Sequence, residues 1–296
     1  MRKTVLILGI LSSFNANAWE ACGTDARGNT ANCEYQIIDG TLTIRGVGNN
    51  GNIGYWYSSE AANFTQPWRD KGVNNIVIDN SIHDLGSFAF SNIQSINPIK
   101  IPDNINVISD YAFDRVKTSE IIIPQNTKVI NSGAFKSEYL TKINIPDSVQ
   151  RIYNDAFRGT TGLTDIIFPE NIEFIGDKVL SRCLNLKTLT ISDKTPLGNI
   201  FTGYDYDQDS INLENLKIYC TGDTAKCDAN LEAAGYPELK SIKATTQKIN
   251  GVTYVYDKSG KLVTSSGHRT EKRIYTIEEA NAVTKPTGNT VRIKYR

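Results

Sequence analysis

The chain has 296 residues, and its 32 Lys/Arg balance its 32 Asp/Glu, but the charge is unevenly spread. Residues 241–296 hold 11 Lys/Arg against 4 Asp/Glu, whereas residues 19–240 hold 19 against 28. An acidic body followed by a basic tail reads as two modules, and the acidic body excludes nucleic acid as the expected partner.

In chain order, Met1-Arg2-Lys3, an apolar run over 4–11 and Ala16-Asn17-Ala18 form the n-region, h-region and cleavage pattern of a secretory signal peptide. The run is too short to span a bilayer, cleavage is expected after Ala18, and no cysteine follows directly to take a lipid. No later stretch is apolar for about 20 residues, so no transmembrane segment is expected after signal cleavage. Secreted, cell-surface and periplasmic destinations all fit this pattern. Five cysteines suit an oxidising compartment. Cys22 with Cys33, and Cys220 with Cys227, are two short pairs expected as disulfides that close the two ends of the body, each worth about 2–3 kcal/mol. Cys183 is left over, as either a small buried residue or a reactive or intermolecular thiol.

Residues 19–75 hold all three Trp residues and are expected to form an N-terminal cap. Its aromatics either cover the open end of a core or, at Tyr55-Trp56-Tyr57, form a ligand-stacking patch. Gly46-Val47-Gly48-Asn49-Asn50-Gly51 matches the dinucleotide fingerprint G-x-G-x-x-G. That fingerprint needs a helix N-terminus to hold pyrophosphate, and the following residues lack helical period, so a Gly/Asn turn is the better account.

The body is a repeat. Ile99-Lys100-Ile101-Pro102, Ile121-Ile122-Ile123-Pro124, Ile143-Asn144-Ile145-Pro146 and Ile166-Ile167-Phe168-Pro169 are spaced by 22, 22 and 23 residues. Each is followed by Ala112-Phe113, Ala134-Phe135, Ala156-Phe157 and the variant Val179-Leu180. Such a period marks a solenoid, whose default function is binding. Residues one and three before each Pro alternate as a short strand with these side chains inward. Further columns at Ile105, Thr127, Val149, Ile172 and at Ile108, Ile130, Ile152, Ile175 give each turn six or seven apolar residues, each worth ~1.5–3 kcal/mol when buried. No single turn covers them alone, so neighbours must stack. Partial copies extend the array to Ile76-Val77-Ile78 with Ala89-Phe90 on one side, and to Leu186, Leu189, Ile191 and Leu213, Leu216, Ile218 on the other. Leu42 and Ile44 read as a first, capping strand. Thr118 and Thr127 weaken one repeat.

The pattern Leu-x-x-Ile-x-Ile-Pro-x-x-Val-x-x-Ile-x-x-x-Ala-Phe, nearly complete over 140–157, resembles the BspA-like leucine-rich repeat family, also called the Treponema pallidum type. The Cys183 turn is similar to the family's Gly-Cys before the next Leu. Gly40-Thr41-Leu42-Thr43-Ile44, Pro67-Trp68 and Ile76-Val77-Ile78 resemble its N-terminal cap. The resemblance covers roughly 35–235 and implies an α/β leucine-rich-repeat solenoid. It also implies a secreted or surface protein, of a kind that includes adhesins for host proteins or other cells. The expected organisation is a signal peptide over 1–18, a disulfide-closed cap over 19–75, repeats and a C-cap over 76–240, and a small basic α+β module over 241–296.

In that last module, Val252–Tyr256 alternation and Lys261-Leu262-Val263 flank Asp257-Lys258-Ser259-Gly260, which reads as a hairpin. Thr276-Ile277-Glu278-Glu279 is a capping box opening a helix, and Val291, Ile293 and Tyr295 alternate as a final strand. Its Arg and Lys either bind acidic surfaces or are solvated strand faces. A short helix over 224–234 is expected to close the array.

Little points to catalysis. Asp205, Asp207 and Asp209 alternate as in a calcium loop, but Ser210 and Leu216 stand where an EF-hand needs Gly and Glu, so a solvated acidic loop is the better reading. His83 falls in a polar, water-facing column, and His268 lies in a Ser/Gly-rich loop. Neither has a nucleophile or metal partner nearby, and no G-x-S-x-G or H-E-x-x-H occurs. No enzyme activity, cofactor or metal is expected. The outward residues of the strands form two columns on the concave sheet. One holds Val77, Lys100, Ile122, Asn144, Ile167 and Thr190; the other holds Asn75, Pro98, Glu120, Lys142, Asp165 and Thr188. Exposed β-branched side chains beside charges are either ordinary sheet surface or an interaction patch. The expected ligand-binding residues are Lys100, Glu120, Ile122, Lys142, Asn144, Asp165, Ile167 and Thr190, for a protein or glycan partner of host or cell-envelope origin. The alternatives are an envelope-associated structural protein docked by its basic module, and a hydrolase on a repeat scaffold.

Overall fold

The computed structural model describes residues 18–56, 66–202, 211, 213–249 and 252–266. Most of the signal segment, Tyr57, the Asp205-Asp207-Asp209 loop, His268, and the expected helix and strand after residue 270 lie outside the described residues.

The N-terminal cap is built by strand alternation around two aromatic anchors. It comprises β1 (Glu20–Ala21), β2 (Cys33–Ile38), β3 (Thr41–Gly46) and β4 (Gly51–Asn52). Asp39 and Gly40, both at positive φ (48° and 74°), form the two-residue turn that lets β2 and β3 pair antiparallel. Cys33, Tyr35, Leu42 and Ile44 then point inward and are buried. Cys22 and Cys33 are joined in a disulfide. Trp56 and Trp68 are also buried, and their indole N–H groups donate to the carbonyls of Ile53 (3.0 Å) and Ala89 (3.1 Å). A buried indole needs such a partner. These two Trp residues close the core. The G-x-G-x-x-G motif also has a packing explanation: a Cβ on Gly46 or Gly51 would sit 2.3 or 2.1 Å from the Ser81 carbonyl oxygen, so both positions must be glycine for these backbones to meet.

The repeats run between two parallel ladders. The front side carries β5 (Asn75–Ile78), β7 (Ile99–Lys100), β9 (Glu120–Ile122), β11 (Lys142–Ile143), β13 (Asp165–Ile167), β15 (Thr188–Ile191) and β16 (Lys217–Cys220), hydrogen-bonded in three groups: β5 to the cap, β7 with β9 and β11, and β13 with β15 and β16. The back ladder holds β8 (Val107–Ile108), β10 (Val129–Ile130), β12 (Arg151–Ile152) and β14 (Phe174–Ile175), while β6 (Ile82–Asp84) pairs with β4 of the cap. β3 pairs parallel with β5, so the cap supplies the first turn of the front sheet. Equivalent residues of neighbouring repeats face each other: Ile99 with Ile121, Ile121 with Ile143, and Ile166 with Leu189 on the front, and Ile108, Ile130, Ile152 and Ile175 in sequence on the back. After β7, β9, β11 and β13 the chain reaches Pro102, Pro124, Pro146 and Pro169, which have no N–H to continue the ladder. The carbonyls of Pro102, Pro124 and Pro146 instead accept from Ile105, Thr127 and Val149 at 3.0–3.1 Å, turning the chain toward the back.

The Ala-Phe pairs form the spine. Phe90, Phe113, Phe135 and Phe157 are buried and stacked with near-parallel planes at centroid spacings of 5.3, 5.7 and 5.7 Å, and Trp68 heads the stack 6.3 Å from Phe90. Their backbones stack as well: the N–H groups of Phe90, Phe113, Phe135 and Phe157 donate to Ala112, Ala134, Ala156 and Val179 of the next turn at 2.8–3.1 Å. Buried peptide groups in a non-helical turn are thereby paired. Thr118 and Thr127 are buried, but their hydroxyls donate to carbonyls of the preceding turn (Asn97 at 3.3 Å, Ile105 at 3.4 Å). A hydroxyl bonded in this way is tolerated in a core.

At the far end, α1 (Thr224–Ala233) starts on Asp223, whose side chain accepts from the Ala225 N–H, and buries Cys227 and Leu231. A Cys220–Cys227 disulfide ties it to β16. β17 (Ser241–Ile249) then carries the sheet across the point where the sequence turns basic. Ile218, Tyr219 and Cys220 pair parallel with Ser241, Ile242 and Lys243, and from Ala244 onward β17 pairs antiparallel with β18 (Val252–Asp257). β18 pairs with β19 (Leu262–Ser266), giving a six-stranded sheet in the order β13-β15-β16-β17-β18-β19. This sheet curls. Tyr219, Ala244 and Val255 form a second small core, against which Ile167 of β13 and Val263 of β19 pack. The hairpin therefore lies over the front face of the last repeats, and the Lys248 ammonium contacts the Asp147 carboxylate.

Candidate ligand-binding face

Strand alternation sends Ile99, Ile121, Ile143 and Ile166 into the core, and Lys100, Ile122, Asn144 and Ile167 outward in one row. The second row is braced laterally. Lys142 Nζ lies 3.1 Å from Glu120 Oε1 on the adjacent strand. Asp165 accepts from the Thr164 hydroxyl at 2.6 Å and from the Thr188 hydroxyl. Lys100 Nζ reaches Asp103 at 3.7 Å. These exposed pairs order the side chains but add little stability, on the order of 0–1 kcal/mol each.

The hairpin divides the face in two. Lys100 and Lys142 are exposed, Glu120, Ile122 and Asn144 are half-buried, and none of the five belongs to the cluster under the hairpin. Ile167 does pack there, and Thr190 is only 1% exposed. The sequence places Ile167 and Thr190 with the open outward residues; the structure corrects this. Both point out of their own strands, but the curled sheet brings Tyr219, Val255 and Val263 over that half. The Thr190 hydroxyl is left with no hydrogen-bond partner among the described residues. Asp165 stays at the margin, half-buried and bonded to Thr188. Tyr219 is the residue that sequence reasoning missed. It follows Ile218 as Thr190 follows Leu189, so the strand column held its address.

The other candidates resolve plainly. Cys183 is fully buried and its thiol donates to the Phe157 carbonyl at 3.2 Å. Burial pushes this thiol up to about 12, so it stays protonated and inert. His83 is exposed, with Nδ1 3.0 Å from the Asn104 amide nitrogen. Among the described residues no group of three or more His, Cys, Asp or Glu is placed to hold a metal, and no helix is long and apolar enough to cross a membrane. Tyr55 is half-buried, with the Arg27 guanidinium 4.0 Å above its ring.

A model described as "BspA type Leucine rich repeat region" matches six copies over residues 68–187 and 128–244, more than half of the chain. The chain belongs to the BspA-type leucine-rich repeat family. The BspA-type match begins at Trp68, which heads the aromatic stack, and ends at Ala244, inside β17. A Treponema pallidum leucine-rich repeat protein matches at 16% identity over 74% of this chain and 97% of that one, with a TM-score of 0.38. The pneumococcal vaccine antigen PcpA matches at 16% identity over 68% of each chain (TM-score 0.43). A leucine-rich repeat protein from Bacteroides ovatus matches at 21% over 67% of this chain and 55% of that one (TM-score 0.35). Comparison with curated proteins finds no match.

Proposed function

We propose that this BspA-type chain is an exported, non-enzymatic binding protein of the adhesin kind, which recognises a protein or glycan ligand on the open half of its front sheet. One observation carries the reading: Lys100, Glu120, Ile122, Lys142 and Asn144 stand outward on three strands in register, outside the cluster that the hairpin covers. The inward residues of these strands are anchored in the stacked core, which holds the outward ones in place and keeps the ordering cost of binding low. Ile122 supplies an apolar centre, and the Lys100, Glu120 and Lys142 charges form a polar rim, the usual anatomy of a recognition patch. Export is supported by the leader pattern of residues 1–18 and by the two disulfides, which persist outside the reducing cytosol.

The test is a pull-down from extracellular-matrix and cell-envelope fractions with the purified protein and with Ile122→Asp. The reading expects a component retained by the first and lost with the second. Equal retention by both removes the open half as the binding face.

A further inference from the structure

The curl of the C-terminal sheet creates a second concavity, distinct from the open half of the front face. A groove of about 800 Å³ runs between the ascending side of the last repeats and the tip of the hairpin. Lys187 and Lys217 stand on one wall and Lys261 on the other, with Leu184, Tyr219 and Leu262 between them. We propose that this groove binds an acidic glycan, with Lys187, Lys217 and Lys261 neutralising its carboxylate or sulfate groups and Leu184 and Leu262 contacting its ring faces.

Charge comes first. Residues 19–240 are acidic overall, yet this groove gathers three lysines. Among the described residues none of the three ammonium groups has an ion-pair partner. The one carboxylate in the lining, Asp257, uses Oδ1 to accept from the Ser259 and Lys261 N–H groups and the Ser259 hydroxyl; these bonds, and to a smaller degree the charge of Lys261 beyond ion-pair distance, hold it below the usual carboxylate range. Three ammonium groups against one carboxylate leave the concave wall net positive, and such a wall focuses its field on an incoming ligand of the opposite sign.

The backbone then selects the ligand class. An extended peptide docks on an open strand edge, through main-chain hydrogen bonds. The strands of the repeat wall are internal: Thr188 pairs with Lys217, the Lys217 N–H donates to Lys187 O at 2.9 Å, and the Lys187 N–H donates to Thr164 O at 2.8 Å. There the ligand must be held by side chains; β19 on the other wall pairs only with β18 among the described residues, and a hexa-aspartate probe tests whether a peptide adds to that edge. Ammonium groups on flexible stems suit point charges spaced along a hydrated polymer, and they lack the planar fork that grips one carboxylate in fixed geometry. Leu184, 39% exposed at the lip, and Leu262 opposite it supply the apolar surface that the C–H faces of sugar rings require.

Calorimetric titration of the purified protein tests this with four probes of equal length: a polyuronate hexasaccharide, a sulfated hexasaccharide, a neutral glucan hexasaccharide and a hexa-aspartate peptide. Saturable binding of one or both acidic glycans is expected, with none by the neutral glucan; the first two arms separate carboxylate from sulfate recognition. K217E/K261E should weaken the acidic glycan by roughly tenfold or more, since like charges brought together at a desolvating contact repel, whereas K128E, next to the back ladder, should not. Protection of Lys187, Lys217 and Lys261 from acetylation by the bound glycan in the unmutated protein supports the same conclusion without a variant. The proposal is overturned if neither acidic glycan binds, if hexa-aspartate binds as tightly, if K217E/K261E binds unchanged, or if the three lysines acetylate at the same rate with and without ligand.

Discussion

Replacing Phe135 by Ala tests the stacked core where it is most continuous. The ring is fully buried, with Phe113 and Phe157 each 5.7 Å away in near-parallel planes. Truncating a buried Phe costs about 3–5 kcal/mol through lost transfer energy and the cavity left behind. Two ring pairs, each worth about 0.5–1.5 kcal/mol beyond the buried area, vanish together and place this site near the top of that range. The neighbours cannot collapse into the space, because their backbones are held by the Phe113 and Phe135 N–H bonds to Ala134 and Ala156 (both 2.9 Å). Phe135→Leu, which keeps most of the volume, should cost less than about 1.5 kcal/mol. Urea titrations followed by far-UV circular dichroism give both values. Trp fluorescence reports the cap end, where Trp56 and Trp68 are buried, and shows whether the damage spreads along the array as nearest-neighbour coupling requires. Tyr139→Ala, at an exposed ring, is the control and should lie within about 0.5 kcal/mol of the parent. If Phe135→Ala costs less than about 1 kcal/mol, the rings do not form one continuous core and the packing argument fails.

Three further outcomes follow from the geometry. Ile122→Asp should change stability by no more than about 0.5 kcal/mol, whereas Ile167→Asp should cost about 1–3 kcal/mol by placing a charge against the Tyr219–Val255 cluster; equal urea midpoints for the two would show that the hairpin does not pack there. Cys183 should resist iodoacetamide at pH 8 in the folded protein and react fully in urea, because burial holds its thiol at about 12; labelling of the native protein at the rate of a free thiol would contradict the burial. Burial raises the Asp114 carboxyl despite Arg115 and Lys136 beside it, and one of its oxygens has no hydrogen-bond partner among the described residues. The unfolded chain therefore releases this proton at lower pH than the folded one, and Asp114 lowers stability as pH rises through the ordinary carboxylate range. Asp114→Asn should stabilise the protein at pH 7 and lose that advantage below about pH 4, read from urea midpoints at the two pH values; a destabilised variant at pH 7 would show that the ion pair outweighs burial.

The repeat body was readable because its code is local. Inward isoleucines at period two, Pro at the strand end and a fixed Ala-Phe offset each name a place in the turn, and the ladders pair the residues these columns align. The back-ladder residues are legible in the sequence as core positions but not as strands, since two-residue bridges such as Val107–Ile108 leave no alternation to detect. The left-handed positions ahead of each Ala were also hidden. Phe88, Tyr111, Asp155 and Lys178 have φ of 58°, 53°, 58° and 61°, and only Gly133 in that column advertises the conformation. A Cβ on Gly133 would lie 2.2 Å from the Tyr111 ring, so this one position must be Gly for a steric reason as well. The covered half of the front face was beyond local reading. Thr190 and Ile167 have the chemistry of solvent-facing strand residues, and what buries them is a hairpin that starts more than 50 residues later and returns through sheet curl, a property of several strands together.

Side-chain footprinting by hydroxyl radicals, on the protein alone and saturated with the component it retains from matrix or envelope fractions, tests the binding face most directly. The account predicts protection at Lys100 and Ile122, with no change at Phe174, which is 39% exposed on the back ladder. Protection centred on Phe174 and Val107, with Ile122 as reactive as in the free protein, would contradict it.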